Sequence, residues 1–495
     1  MIARLCDVVV VGSGNAGMAA ALAARDAGAE VVILEKSPPE WAGGNSHFSA
    51  GAFRVAFESL SDLRSLLEID DEAADRIEMA GYPVDSFVDD LRRVTRGRTD
   101  PTLARLVAED SLDAARWLAG KGVRWELLLD RQSFAVGNRR RFWGNLVLGT
   151  VGGGAGLVES EFAAVDRAGV EIRYESAVVG MDVSGDSVAL EVDGPRGRRT
   201  VAAGAVVMAS GGFEADAKRR AEHLGPGWDL ALVRGTPFNT GDGLFSLIEA
   251  GAATHGHWSG SHAIAWDAAA PRHGDRVLTN RYSRQGYPYG IVVNRLGRRF
   301  VDEGADFRNY TYARYGAEIM RQPQARAFQI FDQQSLPLVS AVDYATADST
   351  RSDAQTIERL AEEIGVDPEQ LAATVSAYNA GVSSDAFDPT VKDRKHTRGV
   401  SPPKSNWALP IDHPPFVAFE VTCGITFTFG GVRIDPDGAV LRPSGAPLSR
   451  TFASGELVGG LFYHNYPGGS GLTAGVVFGR RAGAAAARAA GRAPI

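Results

Sequence analysis

A short apolar, β-branched run, Asp7–Val11, leads directly into Gly12-Ser13-Gly14-Asn15-Ala16-Gly17, and this junction constrains the fold more than any other feature. The run predicts a buried strand. The alanine-rich Met18–Ala27 segment predicts a helix closed by Gly28, and Glu30–Leu34 predicts a second buried strand ending at Glu35. Strand, glycine turn, helix and strand make one right-handed βαβ unit. In such a unit Gly12 permits the tight turn, Gly14 lets backbone amides approach a pyrophosphate, and Gly17 lets helix and strand pack closely. The helix start, with Asn15 and Ala16, turns unpaired N–H groups and a positive dipole end toward the phosphates. Glu35, eighteen positions beyond Gly17, is placed to accept hydrogen bonds from ribose hydroxyls, with Lys36 beside it.

At 495 residues the chain is too long for one compact core, so two or three domains are expected. Residues 59–130 read as mainly helical, with spaced apolar positions in Thr102–Leu118; Val170–Val192 and Val201–Met208 read as strands. Residues 249–425 form a long insertion rich in Arg, Tyr and Trp, with a helix expected at Ala354–Ala380 and a proline-rich exit, Ser401–Pro415, expected as a connection between domains. Gly468–Arg488 is a glycine cluster leading into another alanine-rich helix. The expected architecture is α/β: a Rossmann-like dinucleotide domain from residues 1–248 and 426–495, with an inserted α+β capping domain at 249–425.

The 58 glycines cluster rather than repeat, which fits many points of close backbone approach rather than a fibrous chain. A formal net charge of −8 gives no general attraction for nucleic acid or anionic membranes. No apolar run approaches the roughly 18 residues of a membrane span, and the N-terminus runs straight from Met1 into a strand, so neither a span nor a signal peptide is expected. Cys6 and Cys423 stand alone, which excludes disulfide scaffolds, zinc sites and protein-ligated iron–sulfur clusters. The expected compartment is cytoplasmic.

Later segments narrow the cofactor from dinucleotides in general to FAD. Gly43-Gly44-Asn45-Ser46 follows the Glu35 strand, where a second phosphate-facing loop belongs. Ala209-Ser210-Gly211-Gly212-Phe213 follows a strand and resembles the return to the adenine side in flavoproteins. Ala453-Ser454-Gly455-Glu456 precedes Gly468-Gly469-Ser470-Gly471-Leu472-Thr473 and the last helix. There Glu456 is placed to bind a ribityl chain, and the helix N-terminus faces the flavin N1–C2=O edge, where its dipole stabilises negative charge. Val178 and Asp242 complete the expected cofactor set.

Read in order, these segments resemble the flavoprotein family of fumarate reductases and succinate dehydrogenases, over nearly the whole chain. The segments Trp41–Ser46, Asp302–Gly316, Cys423–Gly431 and Tyr463–Gly475 carry the likeness, most of all to its tricarballylate dehydrogenase-like subfamily. The resemblance implies hydride transfer between flavin N5 and a carbon–carbon bond beside a carboxylate or carbonyl, with a cap arginine exchanging the proton on the adjacent carbon. Arg308, five residues after Glu303, matches that arginine. Its free pKa above about 12 makes it an unusual base, so Tyr310 and Tyr312 are alternatives for the proton. Arg308 is otherwise a carboxylate clamp or a partner of Glu303 or Asp306.

His262 matches a substrate-binding histidine of fumarate reductases, but a second histidine falls at Phe427 and a carboxylate-binding arginine falls at Tyr466. These departures disfavour fumarate or succinate. Tyr466-Pro467-Gly468-Gly469 also resembles ketosteroid dehydrogenases, in which a tyrosine and a glycine amide hold a ketone near the flavin. His47 lies near the place where respiratory relatives attach FAD covalently, whereas soluble relatives hold it without a bond. Cys423 reads as a small buried thiol.

The leading expectation is an FAD-dependent oxidoreductase of a small carboxylated substrate, with Arg308, Tyr466, His262 and Tyr310 as catalytic residues. Arg281 and Arg284 are read either as further cap cations or as a solvated surface. A dehydrogenase of a larger enone is the enzymatic alternative, and an FAD-binding redox sensor the non-enzymatic one. The chain has no haem or iron–sulfur motif for its own relay, and the resemblance implies reoxidation by a separate electron acceptor protein. The cap is expected to close over the flavin about Thr240–Gly243 and Ser401–Pro415.

Overall fold

The computed structural model describes residues 4–344, 346 and 348–491. The first strand, Arg4–Val11, pairs in parallel with Val31–Leu34 on one side and Arg199–Met208 on the other, and Val8–Val10 are wholly buried. Glu171–Arg173 and Pro447–Ala453 extend this parallel sheet outward at its two ends. Two antiparallel strands, Ala177–Asp182 and Val188–Asp193, add onto the first half of Arg199–Met208.

Adjacent strands deliver the predicted loops to one place. The Gly12 amide bonds to the Leu34 carbonyl, the Ala209 amide to Val11 and the Ser454 amide to Met208. The glycine loop, the Ala209–Gly212 loop and the Ser454–Glu456 turn therefore leave the sheet side by side at its carboxyl edge, where ligands of open parallel sheets bind. Helices Asn15–Asp26 and Ser470–Ala489 pack closely beside it. A Cβ at Gly479 would lie 2.6 Å from the Ala16 carbonyl oxygen, and one at Gly483 only 2.1 Å from that of Ala20. Glycines four residues apart thus let the two backbones meet and bring both helix N-termini to the same edge.

The second large sheet is built on one long strand, Phe416–Val432. Its later half pairs antiparallel with Thr254–Asp267, while its early half pairs with Ala327–Phe331 and Arg351–Ala354. Ile291–Asn294 joins beyond Ala327–Phe331, and Leu232–Val233 pairs in parallel at Gly424–Ile425. The helix expected at Ala354–Ala380 is two helices, Ile357–Ile364 and Pro368–Gly381. Gly365, at φ 66°, ends the first, and the Asp367 carboxylate caps the second through the Gln370 amide. Ser401–Pro415, expected as an open connection, is packed down instead: Trp407 is buried, and the buried Lys404 ammonium donates to the Gly290 carbonyl at 2.7 Å. The chain returns toward the first sheet through the unbroken Phe416–Val432 strand. Among the described residues, no helix is long and apolar enough to cross a membrane.

Candidate active site

One continuous cavity runs from Glu35 and Lys36, past the gathered loops, to Arg308 and Tyr312. Gly12 has φ +102°, and a Cβ there would lie 2.5 Å from the Ala209 carbonyl oxygen, so the turn requires glycine. A Cβ at Gly14 would sit in ordinary contact, 3.6 Å from the Ser46 hydroxyl and 3.7 Å from the Gly43 carbonyl oxygen, and Gly14 lines the cavity. Glu35 accepts from the Ser13 amide at 2.9 Å, the Ser13 hydroxyl at 2.6 Å and the Ser37 amide at 2.7 Å. These bonds fix the carboxylate while leaving lone pairs for ribose hydroxyls.

The cavity also meets Asn15, Ala16, Gly44, Asn45, Ser46, Val178, Ser210, Gly211, Asp242, Gly455, Gly469, Gly471 and Leu472. Asn15 Oδ1 and Ser210 Oγ are buried there and have no partner among the described residues, as expected where a polar ligand completes the bonding. This cavity-lining glycine, the fixed acid and the orphaned polar atoms fit a bound dinucleotide. Lys36 pairs with Asp242 at 2.5 Å at the cavity mouth. The Asn45 amide is spent on protein, donating to Glu214 and to the Thr426 carbonyl while accepting from Thr236.

Several expected cofactor residues lie just behind this surface. Gly17 packs on the turn, Gly43 abuts Val158, and Gly212 sits against Glu456. Ser470 opens the last helix, its hydroxyl donating back to the Pro467 carbonyl at 2.8 Å. His47 does not reach the cavity: its Nε2 bonds the Arg276 carbonyl at 3.1 Å, and burial holds its imidazole below the usual range. Glu456 does face the cavity, and it forms a buried carboxyl pair with Glu214. Burial raises both carboxyls, and the neighbouring Glu214 charge raises Glu456 further.

At the far end His262, Phe427, Tyr312 and Tyr466 form one aromatic cluster. His262 lies 4.9 Å from both the Phe427 and Tyr466 rings and 5.0 Å from that of Tyr312, centroid to centroid. Burial, with the Arg234 cation nearby, holds His262 well below its usual range, so the ring is neutral. The Tyr466 oxygen accepts from the Gly471 amide at 3.3 Å, at the start of the last helix. Burial nonetheless keeps Tyr466 above the ordinary phenol range.

The arginines sort differently from the sequence expectation. Arg308 is buried over the Trp143 ring and donates to the Arg131 carbonyl, while its Nε has no partner among the described residues. Neither Glu303 nor Asp306 holds it: Glu303 pairs with Arg299, and Asp306 with Arg93 and Lys392. Arg284 is buried in a pair with Asp267, and neither Arg281 nor Arg284 lines the cavity. Tyr310 also points elsewhere, donating to Asp90 at 2.6 Å and accepting from Arg54 at 3.1 Å, because its 3-10 turn directs it away from the Tyr312 side. Two cavity arginines escape the sequence reading, Arg131, paired with Asp343, and Arg234. The signal for Arg234 is slight: a single cation closing the run Leu230–Val233.

The fold and this site define an FAD-binding flavoprotein. Residues 7–472 match the family described as "FAD binding domain", and the chain belongs to that family. It is 30% identical over 487 residues to the probable fumarate reductase Ifc3 of Shewanella frigidimarina (strain NCIMB 400), covering 97% of this chain and 75% of that protein. It is also 30% identical over 529 residues to the 4-oxocyclohexanecarboxylate 2-dehydrogenase of Sinomonas cyclohexanicum, covering 93% of this chain and 89% of the other. The open conformation of a flavocytochrome c3 fumarate reductase superposes with a TM-score of 0.73 at 28% identity, over 99% of this chain and 79% of that one. The chain is thus an FAD-dependent oxidoreductase of CH–CH bonds in the fumarate reductase and ketosteroid dehydrogenase superfamily. The non-catalytic sensor reading falls away.

Proposed function

We propose that the enzyme forms or reduces a C=C bond beside the carbonyl or carboxylate of a small anionic substrate, under a cap contributed by residues 249–425. One observation carries this reading: Arg131, Arg234 and Arg308 all line the substrate end of the cavity, and the only ion pair they make among the described residues is Arg131 with Asp343. Arg234 and Arg308 are buried without a carboxylate partner among the described residues, an excess of guanidinium that complements carboxylate.

The cofactor set is proposed as Gly12, Gly14, Glu35, Ser46, Ser210, Glu456 and the Gly469–Leu472 turn. When bound, FAD supplies hydride exchange at N5. Tyr466 accepts the Gly471 amide and keeps its own O–H to donate to the activating oxygen of the substrate. Neutral His262 offers a further hydrogen bond through Nδ1, which has no partner among the described residues. Arg308 exchanges the proton on the carbon next to the hydride carbon. Its partnerless Nε and buried setting support that role. Cys6 and Cys423 are both buried, so the electrons pass to an acceptor beyond these residues.

Tricarballylate and 4-oxocyclohexanecarboxylate are the substrates to try first, the second because it pairs a ketone for Tyr466 with a carboxylate for the arginines. A larger neutral enone is the second reading, favoured by the aromatic wall of Phe427, Phe429 and Phe462 around Tyr466. Dye-linked turnover on these acids, succinate and a 3-ketosteroid separates the readings. Turnover confined to the steroid would exclude the anionic substrate.

A further inference from the structure

Arg234 carries no role in the sequence reading, yet its setting is specific. It follows the Leu232–Val233 strand, and its amide bonds the Ile425 carbonyl at 2.8 Å. Its guanidinium is 6% exposed and is gripped from two sides. Nε and Nη2 both donate to Asn280 Oδ1, at 2.8 and 2.6 Å, and Nη1 donates to the Thr426 hydroxyl at 3.0 Å. All three bonds go to neutral groups. A buried cation without a carboxylate is costly, so an isolated structural arginine would ordinarily have one. The nearby Asp343 is already paired with Arg131 at 2.7 Å.

Donors remain to be used. Three of the five guanidinium N–H groups are spent on Asn280 and Thr426, leaving two. Asn280 is 4% exposed, and its Nδ2 has no partner among the described residues. Because Oδ1 accepts two bonds from Arg234, the amide orientation is fixed, and Nδ2 is the free end. Both residues line the cavity that also holds His262, Tyr312 and Tyr466. A planar fork with an adjacent amide donor, dry and held rigid, is the chemistry that recognises carboxylate.

We propose that Arg234 and Asn280 form the carboxylate-binding subsite that sets this enzyme's specificity, taking over from the position now occupied by Tyr466. This rests on the anionic-substrate reading and deepens it. Arg308, stacked over Trp143 and tied to the Arg131 carbonyl, is then left for the proton.

The test uses the FAD-loaded enzyme and two probes of one shape, cyclohexanecarboxylate and cyclohexanecarboxamide, with Kd read from the perturbation of the flavin absorbance. Wild type should bind the carboxylate at least about 30-fold tighter than the amide, the scale of charge-assisted hydrogen bonds. Arg234→Gln should bring the two within about 3-fold of each other, chiefly by weakening the carboxylate. Asn280→Asp, which is isosteric and gives Arg234 a counterion, should do the same and decides the matter if Arg234→Gln does not fold. Retention of the full preference in a folded variant would overturn the role of Arg234 while leaving the anionic substrate standing. A wild type with no preference, or binding neither probe, would overturn that broader reading and this inference with it.

Discussion

The Tyr466 oxygen accepts the Gly471 amide at 3.3 Å, and the Tyr312 ring packs edge-on beside it at 6.2 Å between centroids. The amide occupies one acceptor site of that oxygen and leaves the Tyr466 O–H to be directed at the substrate. Tyr466→Phe should lower kcat by about 10²–10⁴-fold, the range for a positioned acid or polarising group, with FAD content unchanged. Tyr312→Phe keeps the ring that packs on His262 and Tyr466 and should cost no more than about 10-fold. Steady-state kinetics on flavin-matched samples decides this; a Tyr466→Phe enzyme within 3-fold of wild type would remove the tyrosine from the chemistry.

Arg308→Lys keeps the charge but loses the planar fork and its contact over Trp143. We expect kcat to fall by about 10²-fold or more, with a smaller change in KM. Solvent deuterium incorporation into recovered substrate should fall in parallel. If exchange persists at the wild-type rate, another group carries the proton.

Gly14 and Gly17 should fail in different ways. A Cβ at Gly14 makes only ordinary contacts beside the cavity, so Gly14→Val should fold but retain FAD poorly. A Cβ at Gly17 would lie 2.1 Å from the Gly12 carbonyl oxygen, so Gly17→Ala should lower Tm even in the apoprotein. Flavin-to-protein absorbance ratios and apoprotein melting separate the two; full FAD occupancy in Gly14→Val would displace the pyrophosphate from this turn.

Glu161 gives a pH dependence unrelated to catalysis. Both its carboxyl oxygens are buried without partners among the described residues, and burial pushes its pKa up to about 8 from 4.5. Between those values the unfolded chain has released a proton that the folded protein keeps, so stability falls as pH rises from about 4.5 to about 8. Glu161→Gln should melt higher than wild type at pH 8, with the difference shrinking toward pH 5. An equal difference at both pH values would show that the carboxyl is not held protonated.

How far the sequence reaches depends on the range of the contacts involved. The βαβ unit is legible because its glycine turn, strands and acid lie within residues 7–35, where local backbone demands decide residue type. The changes at Phe427 and Tyr466 are legible too, and both rings meet His262 in space. Arg234 is not, because its role arises only with Asn280 and Thr426, 46 and 192 positions away. Tyr310 and Tyr312 are separated only by where a 3-10 turn ends and a helix begins, which spacing does not resolve. Residue type alone misplaces Arg284, since its partner Asp267 comes from the neighbouring strand.

Anaerobic addition of candidate substrates to the FAD-loaded enzyme, followed at the flavin absorbance band, tests the central claim most directly. Tricarballylate or 4-oxocyclohexanecarboxylate should bleach the band in a single turnover, while a 3-ketosteroid and a blank leave it unchanged. Bleaching by the steroid alone, or by none of them in either redox direction, would contradict the account.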